Sequence, residues 1–314
     1  MNINPIWVER YRPKTVEDTI LPESLKTMFK KMVETKNIPH MIFSGTPGIG
    51  KTTIAMALMD EIGAEYMVIN GSLEGRNIDT LRTKMYDFAS SMSMTGDRKY
   101  IIIDEADGLN QQSVQPAMRP MLEDLAENCG FLLTCNYEAK LLEPITSRCA
   151  TVTFKLSKED KPVIAKQIMA RLEFILNDNG VAYDRKVIAA LILKYMPDWR
   201  KIINRLQLYS NQNSTIDTGI LTFIENADVS NVLGMLKEKN FTELRKWLGE
   251  NSDLSIEDFF QSMYIEGIER VTKESIPNWV SLLGEYQYRL AFVANPEVTL
   301  AALLMQLMMG CTFK

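Results

Sequence analysis

Apolar runs of strand length alternate with amphipathic stretches of helix length through the first half of the chain. The runs fall at 41–44, 66–70, 100–104, 131–135 and 150–154, and helical patterns separate the first four. One helix is expected over about 24–35, with Leu25, Met28, Phe29 and Met32 on one face. This alternation predicts a parallel α/β sheet covered on both faces. From Ser157 the pattern is helical. Ser157 with Asp160 predicts a capping-box-like start, Ile164, Ile168, Leu172 and Ile175 form a stripe, and Asn179-Gly180 closes the helix. A second helix is expected over 184–195 and a third after Asp198, a good N-cap. Helices recur over 229–239, 241–249, 255–271, 276–293 and 296–312. The last carries Leu300, Leu303, Leu304, Leu307 and Met308, more than one buried face needs; a bundle core or a subunit interface accounts for the surplus. The expected domains are an α/β domain over 1–156 and all-α domains over 157–228 and 229–314.

At 314 residues the chain exceeds one ordinary core, and 46% apolar residues suffice to fill several. A net charge of −5 excludes a polycation, so any nucleic-acid contact must come from a local basic surface or from several subunits together. The four cysteines (Cys129, Cys135, Cys149, Cys311) form no C-x-x-C pair, and with one histidine a structural zinc site is not expected; reduced thiols suit a cytoplasmic protein. Glu9, Arg10 and Arg12 leave no apolar signal core at the start. The apolar tail from Leu300 to Gly310 is broken by Gln306 and too short to span a bilayer, so no membrane partner is expected.

The densest chemistry lies between the first strand and the following helix. Gly45-Thr46-Pro47-Gly48-Ile49-Gly50-Lys51-Thr52 has the spacing of a P-loop, with Thr53 next. Glycines let backbone N–H groups turn around an anion, and a helix N-terminus adds about half a positive charge. Lys51 is placed to reach the β- and γ-phosphates of ATP, and the Thr52 hydroxyl to hold Mg²⁺. A second site closes the strand Tyr100-Ile101-Ile102-Ile103 with Asp104-Glu105-Ala106-Asp107. Ligands in such sheets gather at strand C-termini, where Asp104 would anchor Mg²⁺ and Glu105 would act as general base. Asn136 ends the next strand, where a neutral amide can orient a water or simply start a turn. Arg148 precedes the last strand, either as a surface residue or as a finger reaching a neighbouring subunit's nucleotide. Arg200, in the first turn after Asp198, leans toward a nucleotide or toward solvent. Tyr11 and Arg12 belong to an arm packed on the core or to an adenine-side wall.

Taken together, the P-loop, Asp104-Glu105-Ala106-Asp107, Asn136, Ser147-Arg148-Cys149 and Pro197-Asp198-Trp199-Arg200 resemble an AAA+ ATPase. Glu9-Arg10-Tyr11-Arg12-Pro13, Ile38-Pro39-His40 and the Ser-Arg-Cys triplet narrow the resemblance to the clamp-loader family, and within it to the large subunits of T-even phage sliding-clamp loaders. The resemblance covers about 1–210 by motif; beyond that, only length and helicity fit the family. It implies an AAA+ domain, a helical lid and an oligomerising collar. It makes Asn136 sensor 1, Arg200 sensor 2 and Arg148 a finger acting in trans, with residues 9–13 near the adenine. It also implies other copies of the chain, a distinct small loader subunit, a ring-shaped clamp and primer–template DNA as partners, in the cytoplasm, of the host if phage-encoded.

Two stretches match the family's DNA-tracking helices. In the first, Ile78, Leu81, Met85 and Phe88 are expected to be buried, leaving Arg76, Arg82 and Lys84 for phosphates or for a solvated basic face; the DNA-sensing place falls on Arg76 or Asn77. In the second, Gln115 and Arg119 match the family's coupling glutamine and arginine. Pro116 there needs Ser113 as helix cap, and Pro120 is expected to kink the helix. Two other readings of the chain are a non-hydrolysing structural subunit and an AAA+ motor for helicase loading or branch migration.

Overall fold

The computed structural model describes residues 5–74, 78–91, 98–221, 229–250, 256–290, 292–293 and 295–314. The chain divides into two compact units, Met1–Asp217 and Thr218–Lys314.

The first unit is built on a five-stranded parallel sheet. Its strands are β1 (Met41–Gly45), β2 (Tyr66–Asn70), β3 (Lys99–Asp104), β4 (Cys129–Cys135) and β5 (Ala150–Phe154), in spatial order β2-β3-β4-β1-β5. β4 is buried along its whole length, whereas β5, at the edge, is mostly exposed. Successive side chains of a strand point to opposite faces. Ile101, Ile103, Phe131 and Leu133 therefore pack on one side with Met85, Val114, Met118 and Leu122. Tyr100, Ile102 and Leu132 pack on the other with Phe29, Ile54, Leu58 and Met59. The covering helices are α2 (Glu23–Thr35) and α3 (Lys51–Ile62) on the second face, and α5 (Ile78–Ser90) and α6 (Val114–Asp124) on the first; α1 (Trp7–Arg10) and α4 (Gly71–Glu74) are single turns.

One detail of α6 differs from expectation. Ser113 makes no side-chain cap; Asn110 does the work, its Oδ1 accepting from Gln112 N and Ser113 N and its carbonyl from Val114 N and Gln115 N. The helix continues through Pro120, which is exposed, to Asp124.

After a single turn, α7 (Glu143–Thr146), and β5, the same unit continues into α8 (Asp160–Asp178), α9 (Arg185–Tyr195) and α10 (Trp199–Ser210). Ser157 Oγ donates to Asp160 Oδ2 at 2.6 Å and accepts from Asp160 N at 3.1 Å, a reciprocal cap as the sequence predicts. Asp184 and Asp198 cap the next two helices through Lys186 N and Lys201 N. A two-residue parallel ladder, β6 (Ala182–Tyr183) with β7 (Thr215–Ile216), was not expected from the pattern. The N-terminal arm docks on these helices. Trp7 N donates to Gln207 Oε1, Arg10 pairs with Asp178, and Arg171 donates to the Tyr11 carbonyl at 2.6 Å.

The second unit holds α11 (Val229–Glu238), α12 (Phe241–Glu250), α13 (Ile256–Arg270), α14 (Ile276–Leu290) and α15 (Pro296–Gly310). They close around Trp247, Phe259, Met263, Trp279, Leu303, Leu304 and Leu307. No helix among the described residues is long and apolar enough to cross a membrane.

Candidate nucleotide site

Parallel strands end on one edge of a sheet, so the chemistry carried at their C-termini converges. β1 delivers the glycine-rich loop, β3 delivers Asp104 and Glu105, and β4 delivers Asn136. α10 closes the site from the side: Trp199 N donates to the Gly48 carbonyl at 3.3 Å. Gly48 has φ +74, and a Cβ there would lie 1.9 Å from Asp198 Oδ1. Only glycine fits both that backbone and that approach.

The result is a solvent-open cleft. It is lined by every residue expected at the nucleotide: Tyr11, Arg12, Pro47, Gly48, Ile49, Gly50, Lys51, Thr52, Thr53, Asp104 and Arg200, together with Glu105 and Asn136. Trp199, from the Pro-Asp-Trp-Arg motif, lines it too, as do Thr134 and Arg171, which were not singled out in the sequence.

Lys51 is buried, and its ammonium donates to the carbonyls of Gly45 (2.8 Å) and Thr46 (2.9 Å) and to Asn136 Oδ1 (2.8 Å). Burial pulls its pKa below the ordinary lysine value. Asp104 Oδ1 accepts from Thr52 Oγ1 at 2.5 Å and Thr134 Oγ1 at 2.6 Å. Thr134 Oγ1 in turn accepts from Glu105 N at 3.1 Å. Glu105 itself sits at φ +54, a conformation that costs a non-glycine residue energy and concentrates at functional sites. Gly71 lies against it; a Cβ there would be 2.6 Å from the Glu105 carbonyl oxygen. Asp107 caps the turn after β4, accepting from Asn136 N and Tyr137 N, so the acidic run also positions Asn136. Cys135 borders the cleft, and burial pushes its thiol up to about 11, so it rests protonated at neutral pH.

A hydroxyl and a carboxylate oxygen that already share one point are hard ligands suited to Mg²⁺, which takes few protein ligands and completes its shell with water and phosphate. Among the described residues no cluster of three or more His, Cys, Asp or Glu forms a closed metal cage.

Arg148 is not among the residues lining this cleft. Its guanidinium pairs with Glu123 of α6 and with the Pro144 carbonyl at 2.9 Å. Of the expected DNA contacts, Arg82, Lys84 and Arg119 are exposed. Arg76 and Asn77 lie outside the described residues, as do the side chains of Ile78 and Leu81. Gln115, matched in the sequence to a coupling glutamine, makes no use of the helix's exposed face. It is fully buried; its amide donates to the carbonyls of Leu109 (3.2 Å) and Lys140 (3.1 Å) and its oxygen accepts from Leu142 N (2.8 Å). It fastens α6 to the loop after β4.

Two family models match the chain: "ATPase family associated with various cellular activities (AAA)" over residues 41–156, and "Sliding-clamp-loader large subunit, AAA+ ATPase lid domain" over residues 160–222. Among curated proteins, the sliding-clamp-loader large subunit of Enterobacteria phage T4 is 36% identical over 96% of this chain and 95% of its own. That of Escherichia phage RB69 is 34% identical over 98% and 97%. The replication factor C small subunit of Methanosarcina barkeri is 33% identical over 95% of each. Among solved structures, the Thermotoga maritima RuvB Holliday junction branch migration motor matches with a TM-score of 0.52 and 21% identity, covering 73% of this chain and 80% of that one, a likeness of fold.

Proposed function

We propose that this chain, which belongs to the AAA+ clamp-loader family of ATPases, is the ATP-hydrolysing subunit of a loader that opens a ring-shaped sliding clamp and sets it around primer–template DNA for processive synthesis. The observation that carries this reading is a division of groups. Lys51, Asp104, Glu105 and Asn136 meet in one cleft, while Arg148 of the same chain is held outside it.

In this reading the loop N–H groups and the start of α3 bind the β-phosphate. Lys51 exchanges its carbonyl acceptors for phosphate oxygens, and Arg200 follows the γ-phosphate from α10. Tyr11 and Arg12 wall the adenine end. Thr52 and Asp104 would hold Mg²⁺, which would supply charge neutralisation at the phosphates. Asn136 orients a water; Glu105 accepts its proton as the water attacks the γ-phosphorus in line, and the bond to the β-phosphate oxygen breaks to release ADP. Arg148 of a neighbouring copy stabilises the charge that develops, a contribution of about 10³–10⁵ in rate where such fingers act.

Residues 157–228 serve as the lid and 229–314 as an oligomerising collar. Exposed Tyr288, Phe292, Val298 and Met309 support the collar role. Other copies and a distinct small subunit complete the ring. Arg82, Lys84 and Arg119, with Arg76 or Asn77, meet DNA phosphates, and Gln115 transmits that contact. The assembly works in the cytoplasm, of the host if the chain is phage-encoded.

The test is ATPase activity of the chain alone, with its partner subunit, and with clamp and primed DNA. Turnover should rise strongly only in the full mixture and fall with added salt. A rate indifferent to clamp and DNA contradicts the proposal; stimulation by DNA without clamp points to helicase loading or branch migration. Glu105→Gln should abolish turnover, and no change from an already negligible rate would mark a structural subunit.

A further inference from the structure

We propose that Glu123 is a positioning residue that restrains Arg148 until a neighbouring chain's bound triphosphate displaces it; the proposal rests on Arg148 being the finger of the reaction above. Arg148 Nε donates to Glu123 Oε1 at 2.7 Å, and Nη2 donates to the same oxygen. Nη1 donates to the Pro144 carbonyl at 2.9 Å and to Ser147 Oγ at 3.2 Å. Every nitrogen of the guanidinium is therefore engaged within its own chain. Pro144 and Ser147 belong to Arg148's own turn and are neutral. Glu123 comes from a different element and supplies the charge. The arginine's hydrogen bonds hold the Glu123 carboxyl below the usual carboxylate range, so it carries its charge at neutral pH.

The partnership is suited to release. The two side chains are 25% and 51% exposed, and an ion pair that open is screened by solvent and salt. A nucleoside triphosphate carries several charges into a water-poor interface and outcompetes one exposed carboxylate. The helix that holds the finger is also tied to the chain's own cleft. Gln115, Arg119 and Glu123 recur at four-residue steps and lie on one side of α6. Gln115 fastens that helix to Leu142 N and the Lys140 carbonyl, in the segment that follows Asn136. A shift of that loop thus moves Glu123 with the helix, and with it the grip on Arg148.

The experiment compares wild type, Glu123→Gln, Glu123→Asp and Arg148→Ala in the complete loader, with and without clamp and primed DNA. Glu123→Gln keeps the size of the side chain and removes its charge. It should raise DNA-free turnover by about two- to fivefold, the range an exposed ion pair can hold back. The rate at saturating clamp and DNA should stay within about twofold of wild type, so the stimulation ratio falls. Glu123→Asp, which keeps the charge, should restore part of the restraint. DNA-free turnover unchanged or lowered in Glu123→Gln, in a variant with wild-type thermal stability, overturns the proposal. If Arg148→Ala leaves full turnover intact, the finger reading itself fails; if it abolishes turnover while Glu123→Gln changes nothing, only the restraint fails.

Discussion

Lys51 Nζ and Asn136 Oδ1 lie 2.8 Å apart, a charge-assisted hydrogen bond between the glycine-rich loop and the end of β4. It joins the group expected to hold the γ-phosphate to the one expected to aim the water. Asn136→Ala should lower kcat by about 10²-fold, the cost of losing one preorganised polar group at a reacting centre. Nucleotide affinity should move by less than about tenfold, since one hydrogen bond is lost from the ground state. Steady-state ATPase and nucleotide titration separate the two effects. An equal loss in both would place Asn136 in binding.

Thr134 connects the two acidic residues, donating to Asp104 Oδ1 and accepting from Glu105 N. Thr134→Val keeps the shape and leaves the Glu105 N–H without that partner. We expect the fold to lose about 1–3 kcal/mol, the cost of an unpaired buried polar group. Turnover should fall further than stability accounts for, because Glu105 at φ +54 depends on its surroundings to stay there. Thr134→Ser should recover most of both. Urea unfolding and kcat provide the check.

Most of the sheet was legible because apolar runs bounded by polar residues leave few alternatives: β2 and β5 fall on the expected residues and β1 and β3 within one of them. The nucleotide cleft was legible because its chemistry sits at strand ends, which topology brings together. Thr134 was not. Its only signal was a hydroxyl following the run Phe131-Leu132-Leu133, and sequence spacing does not show which neighbouring strand's carboxylate it faces. Nor did spacing show the backbone partners of Gln115, which lie just before α6 and in the loop after β4. Asn110 rather than Ser113 organises the turn into α6, its Oδ1 accepting from Gln112 N and Ser113 N.

His40 is pinned as a neutral ring. Phe131 N donates to its Nδ1 at 3.0 Å, so Nε2 carries the proton and faces the Leu122 carbonyl at 3.1 Å. Burial, aided by the charge of Arg98, depresses its pKa in the folded state. The unfolded chain then binds a proton at a higher pH than the folded one. Stability should be flat above about pH 6.5 and decline as pH falls through the folded-state value. Urea midpoints between about pH 7.5 and 5 should show this slope in wild type and a shallower one in His40→Gln. Equal slopes would contradict the assignment.

The central claim is that a triphosphate in one chain's cleft is split with the help of Arg148 from the next. The most direct measurement mixes two inactive chains in one loader assembly with clamp and primed DNA. Glu105→Gln keeps its finger and lacks a working cleft; Arg148→Ala keeps its cleft and lacks a finger. The account predicts turnover in the mixed assembly well above the sum of the two parents. Turnover that stays at that sum, with both chains shown to be present in the same assembly, would contradict it.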